Sequence, residues 1–143
     1  MFIGEYQHNI DIKGRMAVPV KFRVKLGEGA IITRGLDRCL FIFTAAEWEA
    51  LAKKIVELSI LKSDSRAFAR FTMSGASEAE FDSQGRVLIP AHLREYAGLK
   101  KEAVVTGVFS RIEIWDKDIW KGYRAKTENN SDAIAEKLGE AGL

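Results

Sequence analysis

Cysteine is nearly absent from this chain of 143 residues, which contains only Cys39. A single cysteine excludes an internal disulfide and cannot supply a thiolate cluster, so the sequence predicts neither a disulfide framework nor a metal or other cofactor. The apolar run CLFIF around Cys39 predicts a buried thiol, because free cysteine usually packs as a small hydrophobic residue. This cysteine content suits a reducing cytosol.

Long apolar runs are also missing. No stretch approaches the roughly 18–20 apolar residues that span a bilayer. The start of the chain, MFIGEYQHN, has neither the basic segment nor the apolar core of a signal peptide. We therefore expect a cytoplasmic protein with no membrane partner.

The sequence lacks the motifs of common enzymes. It has no Gly-rich phosphate loop, zinc-ligand spacing or dinucleotide fingerprint. A base and nucleophile would have to come from His8, His92 and Cys39, but no nucleophile motif surrounds them, and activation needs a neighbour within hydrogen-bonding reach. We expect His8 on a strand surface and His92 on a helix surface, and predict a protein that is not an enzyme and has no small-molecule substrate.

Net charge is small, at +2, which does not by itself indicate nucleic-acid binding. The charges are unevenly distributed, however. Residues 1–71 contain 12 Lys and Arg against 8 Asp and Glu, whereas residues 72–143 contain 10 against 12. Basic character is therefore concentrated in the first half of an otherwise ordinary globular composition, with 47% hydrophobic and 29% charged residues.

One nine-residue pattern occurs twice, as DIKGRMAVP from Asp11 and as DSQGRVLIP from Asp82. A constant offset of 71 residues relates the shared positions, which are Asp11, Gly14, Arg15, Pro19 and Arg23 in the first copy and Asp82, Gly85, Arg86, Pro90 and Arg94 in the second. Two copies are too few for a solenoid, so the repeat predicts two similar halves related by a pseudo-two-fold axis.

Each copy predicts a hairpin, a short helix and two further strands. In the first copy GEYQHNID alternates like an exposed strand, and RMAV after the turn resembles a more buried one. The turn glycines, Gly14 and Gly85, permit positive φ, and Asp11 and Asp82 can accept hydrogen bonds from turn amides. Proline then suits the first helical turn and glycine its end, at Pro19, Gly27, Pro90 and Gly98.

Helices are predicted outside the two copies. Thr44 and Glu47 form a capping-box pattern, followed by Trp48, Leu51, Ile55 and Leu58 near helical spacing. SDSRAFARFTM predicts a second helix that starts at Ser63 or Asp64, KDIWKGYRAK predicts a third, and TENNSD separates it from a weak tail helix, AIAEKLGEAGL. We predict repeats at 5–47 and 76–119, a helical connector at 48–75 and a helical tail at 120–143.

The duplicated ββαββ unit with Asp-x-x-Gly-Arg at each turn resembles the MraZ family, whose two halves are SpoVT-AbrB-type swapped-hairpin domains. The similarity extends from MFIGEYQHNIDIKGR to RIEIWDKDIW. It implies an α+β, mainly β fold in which the two units close into a pseudo-two-fold swapped-hairpin barrel with flanking helices. Independently of the resemblance, positions on strand and helix faces favour packing in the core or at subunit interfaces over base stacking for the aromatic residues Phe41, Phe43, Trp48, Trp115 and Trp120.

The resemblance further implies a bacterial transcriptional regulator that binds double-stranded promoter DNA upstream of the division and cell-wall gene cluster containing its own gene. Members of the family assemble into ring-shaped homo-oligomers that contact repeated DNA boxes. We accordingly expect a repressor in the cytoplasm, associated with the nucleoid. The alternative is an antitoxin-like protein-binding module that uses the tail TENNSDAIAEKLGEAGL.

For DNA binding, the hairpin turns carry the candidate residues. A two-stranded ribbon fits the major groove and arginine is the commonest bidentate partner of guanine, so we expect Arg15 to be the leading DNA contact, with Lys13 beside it. Arg86 could bind DNA, contact another subunit or only pair with Asp82, and Arg23 could reach phosphate if its helix exposes that face. The simpler alternative for each Asp–Arg pair is a structural ion pair.

Overall fold

Both copies of the repeated pattern fold into the same series of elements. The computed structural model describes residues 1–142, and its first copy contains β1 (Phe2–Asn9), β2 (Arg15–Ala17), α1 (Val20–Leu26), β3 (Ile31–Arg34) and β4 (Leu40–Phe43). Two connecting helices follow, α2 (Ala45–Val56) and α3 (Ser63–Gly75). The second copy contains β5 (Ser77–Glu78), β6 (Arg86–Leu88), α4 (Ala91–Ala97), β7 (Glu102–Phe109) and β8 (Arg111–Asp116). The chain continues with α5 (Lys117–Asn129) and α6 (Ser131–Glu140).

The larger sheet has an internal symmetry that follows from the repeat. Its six strands lie in the order β1-β7-β8-β4-β3-β5, and all neighbours are antiparallel. A shift of 71 residues exchanges β1 with β5, β7 with β3 and β8 with β4, so the pseudo-two-fold axis passes between β4 and β8, where Leu40 pairs with Ile114 and Ile42 with Ile112. The mixed α and β class with duplicated units is confirmed, with more helix than mainly β implies.

The hairpins exchange partners between the copies. The sequence predicts that β1 pairs with β2. In the structure β1 pairs with β7 along eight residues and β2 pairs with β6. The two arms of the predicted hairpin in the first copy share a bridge between Ile10 and Met16. The exchange places Met16 opposite Val87, and both side chains are fully buried. A closed barrel is not shown, because in residues 1–142 the β2–β6 pair is a separate two-stranded sheet and the larger sheet ends at β1 and β5.

One core serves both copies. It contains Met16 and Val87 from the short strands, together with buried residues of α1, α4 and the six-stranded sheet, including Phe22, Leu26, Ile42, Leu93, Val105 and Ile114. A smaller cluster of Cys39, Val104 and Trp115 lies on the opposite face of the sheet and is partly covered by Trp120 of α5. Separation of the two copies would expose these shared core residues. Each large apolar side chain that leaves the core loses roughly 1.5–3 kcal/mol of stabilisation, so neither half is expected to be stable alone.

Helix boundaries follow the sequence signals with small differences. Pro19 and Pro90 stand at the N-cap, one position earlier than the first turn, and each carbonyl accepts two helical amides. The Thr44 hydroxyl caps α2 by accepting from the Glu47 amide at 3.1 Å, whereas Leu58 lies beyond the end of that helix. The predicted break TENNSD narrows to Asn130, because α5 continues to Asn129 and α6 begins at Ser131. No helix in residues 1–142 has the length and apolarity needed to cross a bilayer.

Candidate nucleic-acid interface

The first turn is organised by the Asp11 carboxylate. One oxygen accepts the Lys13 and Arg15 amides, each at 2.9 Å, and the other accepts the Arg15 Nε at 2.7 Å. The backbone closes the turn through Asp11 N to Arg15 O and Gly14 N to Asp11 O, both at 2.9 Å, with Gly14 at φ +82°. A single aspartate therefore shapes the turn and fixes the arginine that follows it.

The second turn repeats this geometry closely. Asp82 accepts the Gln84 and Arg86 amides at 2.9 Å each and the Arg86 Nε at 2.8 Å, with Gly85 at φ +75°. In both turns the pKa of the aspartate lies below its ordinary value, chiefly because the amide of the arginine donates to it, with a further contribution from the arginine side chain. The carboxylates therefore stay ionised to a lower pH than an ordinary aspartate does.

The register between β2 and β6 brings the two arginines onto one surface. We call the β2–β6 pair the ribbon. Arg15 lies opposite Leu88 and Arg86 opposite Ala17, so these four residues share the outer face, while Met16 and Val87 face the core. The side chains of Arg15 and Arg86 are 32% and 28% exposed.

Ion pairs connect the ribbon to both turns. Besides its bond to Asp82, Arg86 places Nη1 3.7 Å from the Asp11 Oδ2, so the second arginine also contacts the first aspartate. The structural Asp–Arg ion pair, which was the simpler alternative for each turn, is therefore present in both turns. The Arg15 Nε donates to Asp11 as well, and Asp11 is the only ion-pair partner of Arg15 in the described residues. Lys13 is exposed beside Arg15 and adds a positive charge that forms no ion pair in residues 1–142.

Arg23 lies against the turn of the other copy. A Cβ placed on Gly85 would lie 2.5 Å from the Arg23 Cζ. The Arg23 Nε is buried and has no hydrogen-bond partner in the described residues. Arg94 has the equivalent position in the first turn, where a Cβ on Gly14 would lie 1.5 Å from its Nη1. Arg94 was not among the predicted site residues, although its 71-residue offset from Arg23 indicates an equivalent position.

Two lysines that sequence reasoning missed also lie near the first turn. Lys100 and Lys101 line an open depression with Ile12 and Asp11, and the Ile10 amide donates to the Lys101 carbonyl at 2.7 Å. No sequence pattern marked these lysines, because Gly29 and Ala30 occupy the equivalent positions of the first copy.

The residues considered for catalysis do not assemble into a site. His8 lies in β1 and His92 in α4. Cys39 immediately precedes β4, and its thiol donates to the Leu36 carbonyl at 3.2 Å. Burial lowers the pKa of His8 and strongly raises the pKa of the buried Cys39 thiol, which keeps the thiol protonated. In residues 1–142 no group of three or more His, Cys, Asp and Glu side chains could hold a metal ion.

Comparison with known proteins matches this duplicated arrangement. The sequence model of the family described as "MraZ protein, putative antitoxin-like" matches residues 1–71 and again residues 72–140, one copy of the repeat in each. Relatives named "Transcriptional regulator MraZ" include proteins of Alkaliphilus oremlandii and Pelotomaculum thermopropionicum, each 52% identical over 143 residues, and of Acetivibrio thermocellus, 49% identical over 143 residues. The alignments cover 100% of this chain and 99–100% of each relative. The chain thus belongs to the MraZ family.

Proposed function

We propose that this protein is a sequence-specific DNA-binding transcriptional regulator whose ribbon and turns enter the major groove. The observation that carries the proposal is the ribbon itself, because one exposed face presents two arginines that are each fixed by an aspartate. A two-stranded ribbon has the dimensions of the major groove, and preordered arginines are suited to bidentate recognition of guanine. The relatives' name, "Transcriptional regulator MraZ", supports the regulatory role.

Arg15 is the best-placed of the candidate contacts. Asp11 holds its Nε, which orients the guanidinium and leaves the terminal nitrogens for guanine O6 and N7. Lys13 lies next to it on the turn and is suited to phosphate. Arg86 contacts two aspartates, so its charge is more fully compensated and we propose a secondary DNA contact. Arg23 is the weakest candidate for a phosphate contact, because its guanidinium packs against Gly85.

Assembly into a ring-shaped homo-oligomer is part of the proposal. Exposed apolar side chains occur in two separate parts of the fold. One includes Ile3 and Phe109 at the β1–β7 edge, and the other includes Val56, Ile60 and Leu61 between α2 and α3. Two different surfaces in contact produce a head-to-tail arrangement, which closes into a ring when the rotation permits. Joined DNA sites would raise avidity on repeated boxes by about 10²–10⁴.

The target follows from the family resemblance. We propose that the ring represses the division and cell-wall gene cluster that contains its own gene, and that the protein is cytoplasmic and associated with the nucleoid. In this proposal residues 5–47 and 76–119 are the two repeats, 48–75 the connector and 120–143 the tail.

A salt-dependent binding assay tests the proposal. Fluorescence anisotropy would compare wild type, Arg15→Ala and Arg70→Ala on the DNA upstream of this gene and on a scrambled duplex, at several salt concentrations. Arg70 is exposed on α3, away from the ribbon, so Arg70→Ala removes the same charge as a control. We expect selective, salt-dependent binding that Arg15→Ala loses and Arg70→Ala retains. Equal, weak binding of both duplexes by all three proteins would refute the proposal.

One observation favours a second candidate, the antitoxin-like protein-binding module. Helix α6 is exposed along its length and presents Ile134 and Leu138 one turn apart, as a helix that docks onto a partner would. Copurification of one stoichiometric foreign protein, lost when residues 131–143 are deleted, would support this alternative.

A further inference from the structure

The two ends of the ribbon carry opposite charges although their backbones are equivalent. We call the turn at residues 11–15 the first end and the turn at residues 82–86 the second end. Lys13, Lys100 and Lys101 lie at the first end, and none of them forms an ion pair in residues 1–142. The nearby Glu102 is paired with Lys117 at 3.2 Å.

The second end is acidic by comparison. Gln84 replaces the lysine of the turn, and the equivalent depression is lined by Glu28 and Glu80, neither of which has an ion-pair partner in the described part of the chain. The bracing arginines, Arg23 and Arg94, are equivalent at the two ends and do not create the difference. DNA phosphates would therefore be attracted to the first end and repelled from the second.

An apolar side chain lies at the tip of the first end. Ile12 is fully exposed and lies between Asp11 and Lys13. The turn does not require this residue, because Ser83 occupies the equivalent position in a turn with the same hydrogen bonds. Leu88, which faces outward opposite Arg15, is 55% exposed, and its equivalent in the first copy is only Ala17. Apolar surface is thus placed next to Arg15, which pairs with one aspartate where Arg86 pairs with two.

We propose that the first end is the one that reads DNA, with Ile12 contacting the 5-methyl group of a thymine and Lys100 and Lys101 contacting the adjacent phosphates. This inference rests on the proposed DNA-binding function and assigns the base chemistry of that site. The thymine methyl is the one apolar group on base edges in the major groove, and apolar side chains contact it. Ile12 is a specificity-determining residue in this arrangement, and the serine of the second end has no equivalent role.

Replacing thymine by uracil tests the contact directly, because it removes only the methyl group. Wild type, Ile12→Ser and the control Ser83→Ala would be titrated with the upstream duplex and with a set of duplexes that each carry one thymine-to-uracil change. We expect one uracil duplex to bind wild type and Ser83→Ala about threefold to tenfold more weakly than the parent duplex. Ile12→Ser should bind that uracil duplex and the parent equally.

The outcomes separate this inference from the proposed function. If wild type shows no selective, salt-dependent DNA binding, the proposed function itself fails. If wild type binds selectively but no uracil duplex differs from the parent, or if Ile12→Ser still prefers thymine, only the thymine contact is refuted. Circular dichroism of Ile12→Ser confirms that a change in binding does not reflect unfolding, which is not expected for a fully exposed side chain.

The two lysines have their own measurement. Each of Lys100→Ala and Lys101→Ala should reduce the slope of log affinity against log salt by about 0.9, the value for one lost phosphate contact. Lys126→Ala on α5, which also removes one exposed lysine, serves as the control and should leave the slope unchanged. An unchanged slope in both Lys100→Ala and Lys101→Ala would exclude these lysines from the interface.

Discussion

Replacement of Gly14 by alanine should destabilise the protein for two separable reasons. The first is the backbone, because Gly14 has φ +82°, a backbone conformation that residues with a Cβ rarely adopt. The second is space, since the new Cβ would lie 1.5 Å from the Arg94 Nη1 and 2.6 Å from its Cζ. The guanidinium of the second copy must therefore leave the turn of the first.

The structure provides a control that isolates the backbone contribution. Gly98 has φ +62°, and a Cβ there would lie 3.4 Å from the Ile119 Cδ1 and 3.5 Å from the Arg38 Nη2, both ordinary van der Waals contacts. We expect Gly98→Ala to lower the free energy of unfolding by about 1–2 kcal/mol, the usual cost of a left-handed L-residue. Gly14→Ala should add the loss of the Arg94 contact, which for touching residues is about 0.5–3 kcal/mol.

A double-mutant cycle measures that second contribution. Urea unfolding, followed by circular dichroism at one fixed protomer concentration, would compare wild type, Gly14→Ala, Arg94→Ala and the double variant. Without the guanidinium, the Gly14→Ala substitution should cost no more than Gly98→Ala does in the wild-type background. Additivity of the two single changes within about 0.3–0.5 kcal/mol would refute the reasoning, because it would mean that Arg94 does not support the turn.

Three further predictions concern the core, the aspartates and the thiol. Leu93→Ala should lower the free energy of unfolding by about 2–5 kcal/mol, measured by urea denaturation, because Leu93 is fully buried. The pKa values of Asp11 and Asp82 are lowered in the folded protein, so their stabilisation is complete above the ordinary value of 3.8 and is lost as pH falls through the folded values. The double variant Asp11→Asn/Asp82→Asn should therefore lose less stability than wild type in acid titrations below about pH 4. Burial raises the pKa of the Cys39 thiol, so alkylation at pH 8 should be slow in the folded protein and fast in urea, and equal rates would contradict its burial.

The repeat made the order of elements predictable, but not the pairing of strands. The 71-residue offset and the turn signals identify the five elements of each copy, because hydrophobic periodicity and turn chemistry are local properties. The apolar pattern of RMAV requires a buried strand without specifying its neighbour. Pairing of Met16 with Val87 across the copies is favoured because both side chains enter one core, and that is a property of the whole chain.

The candidate site shows the same division between local and global information. The roles of Asp11 and Gly14 in the turn follow from residues within four positions of each other, and the structure has the geometry that the sequence predicts. The placement of Arg23 depends on packing between copies, so its helix alone gave no indication that it faces Gly85. Lys100 and Lys101 reach the first turn through the β1–β7 pairing, which exists only after the copies have exchanged strands.

Duplication within one chain has a consequence for how such a ribbon can recognise DNA. Two identical chains related by a two-fold axis must present the same turn twice and therefore favour a symmetric site. When both copies lie in one chain, the two turns can differ in sequence at every position that the fold does not fix. Aspartate and glycine are retained in both turns because the hydrogen bonds and the positive φ require them, whereas Ile12 and Lys13 correspond to Ser83 and Gln84. The positions that differ are the ones that the turn geometry does not require. The scaffold therefore remains symmetric, while the surface that we propose reads DNA becomes directional.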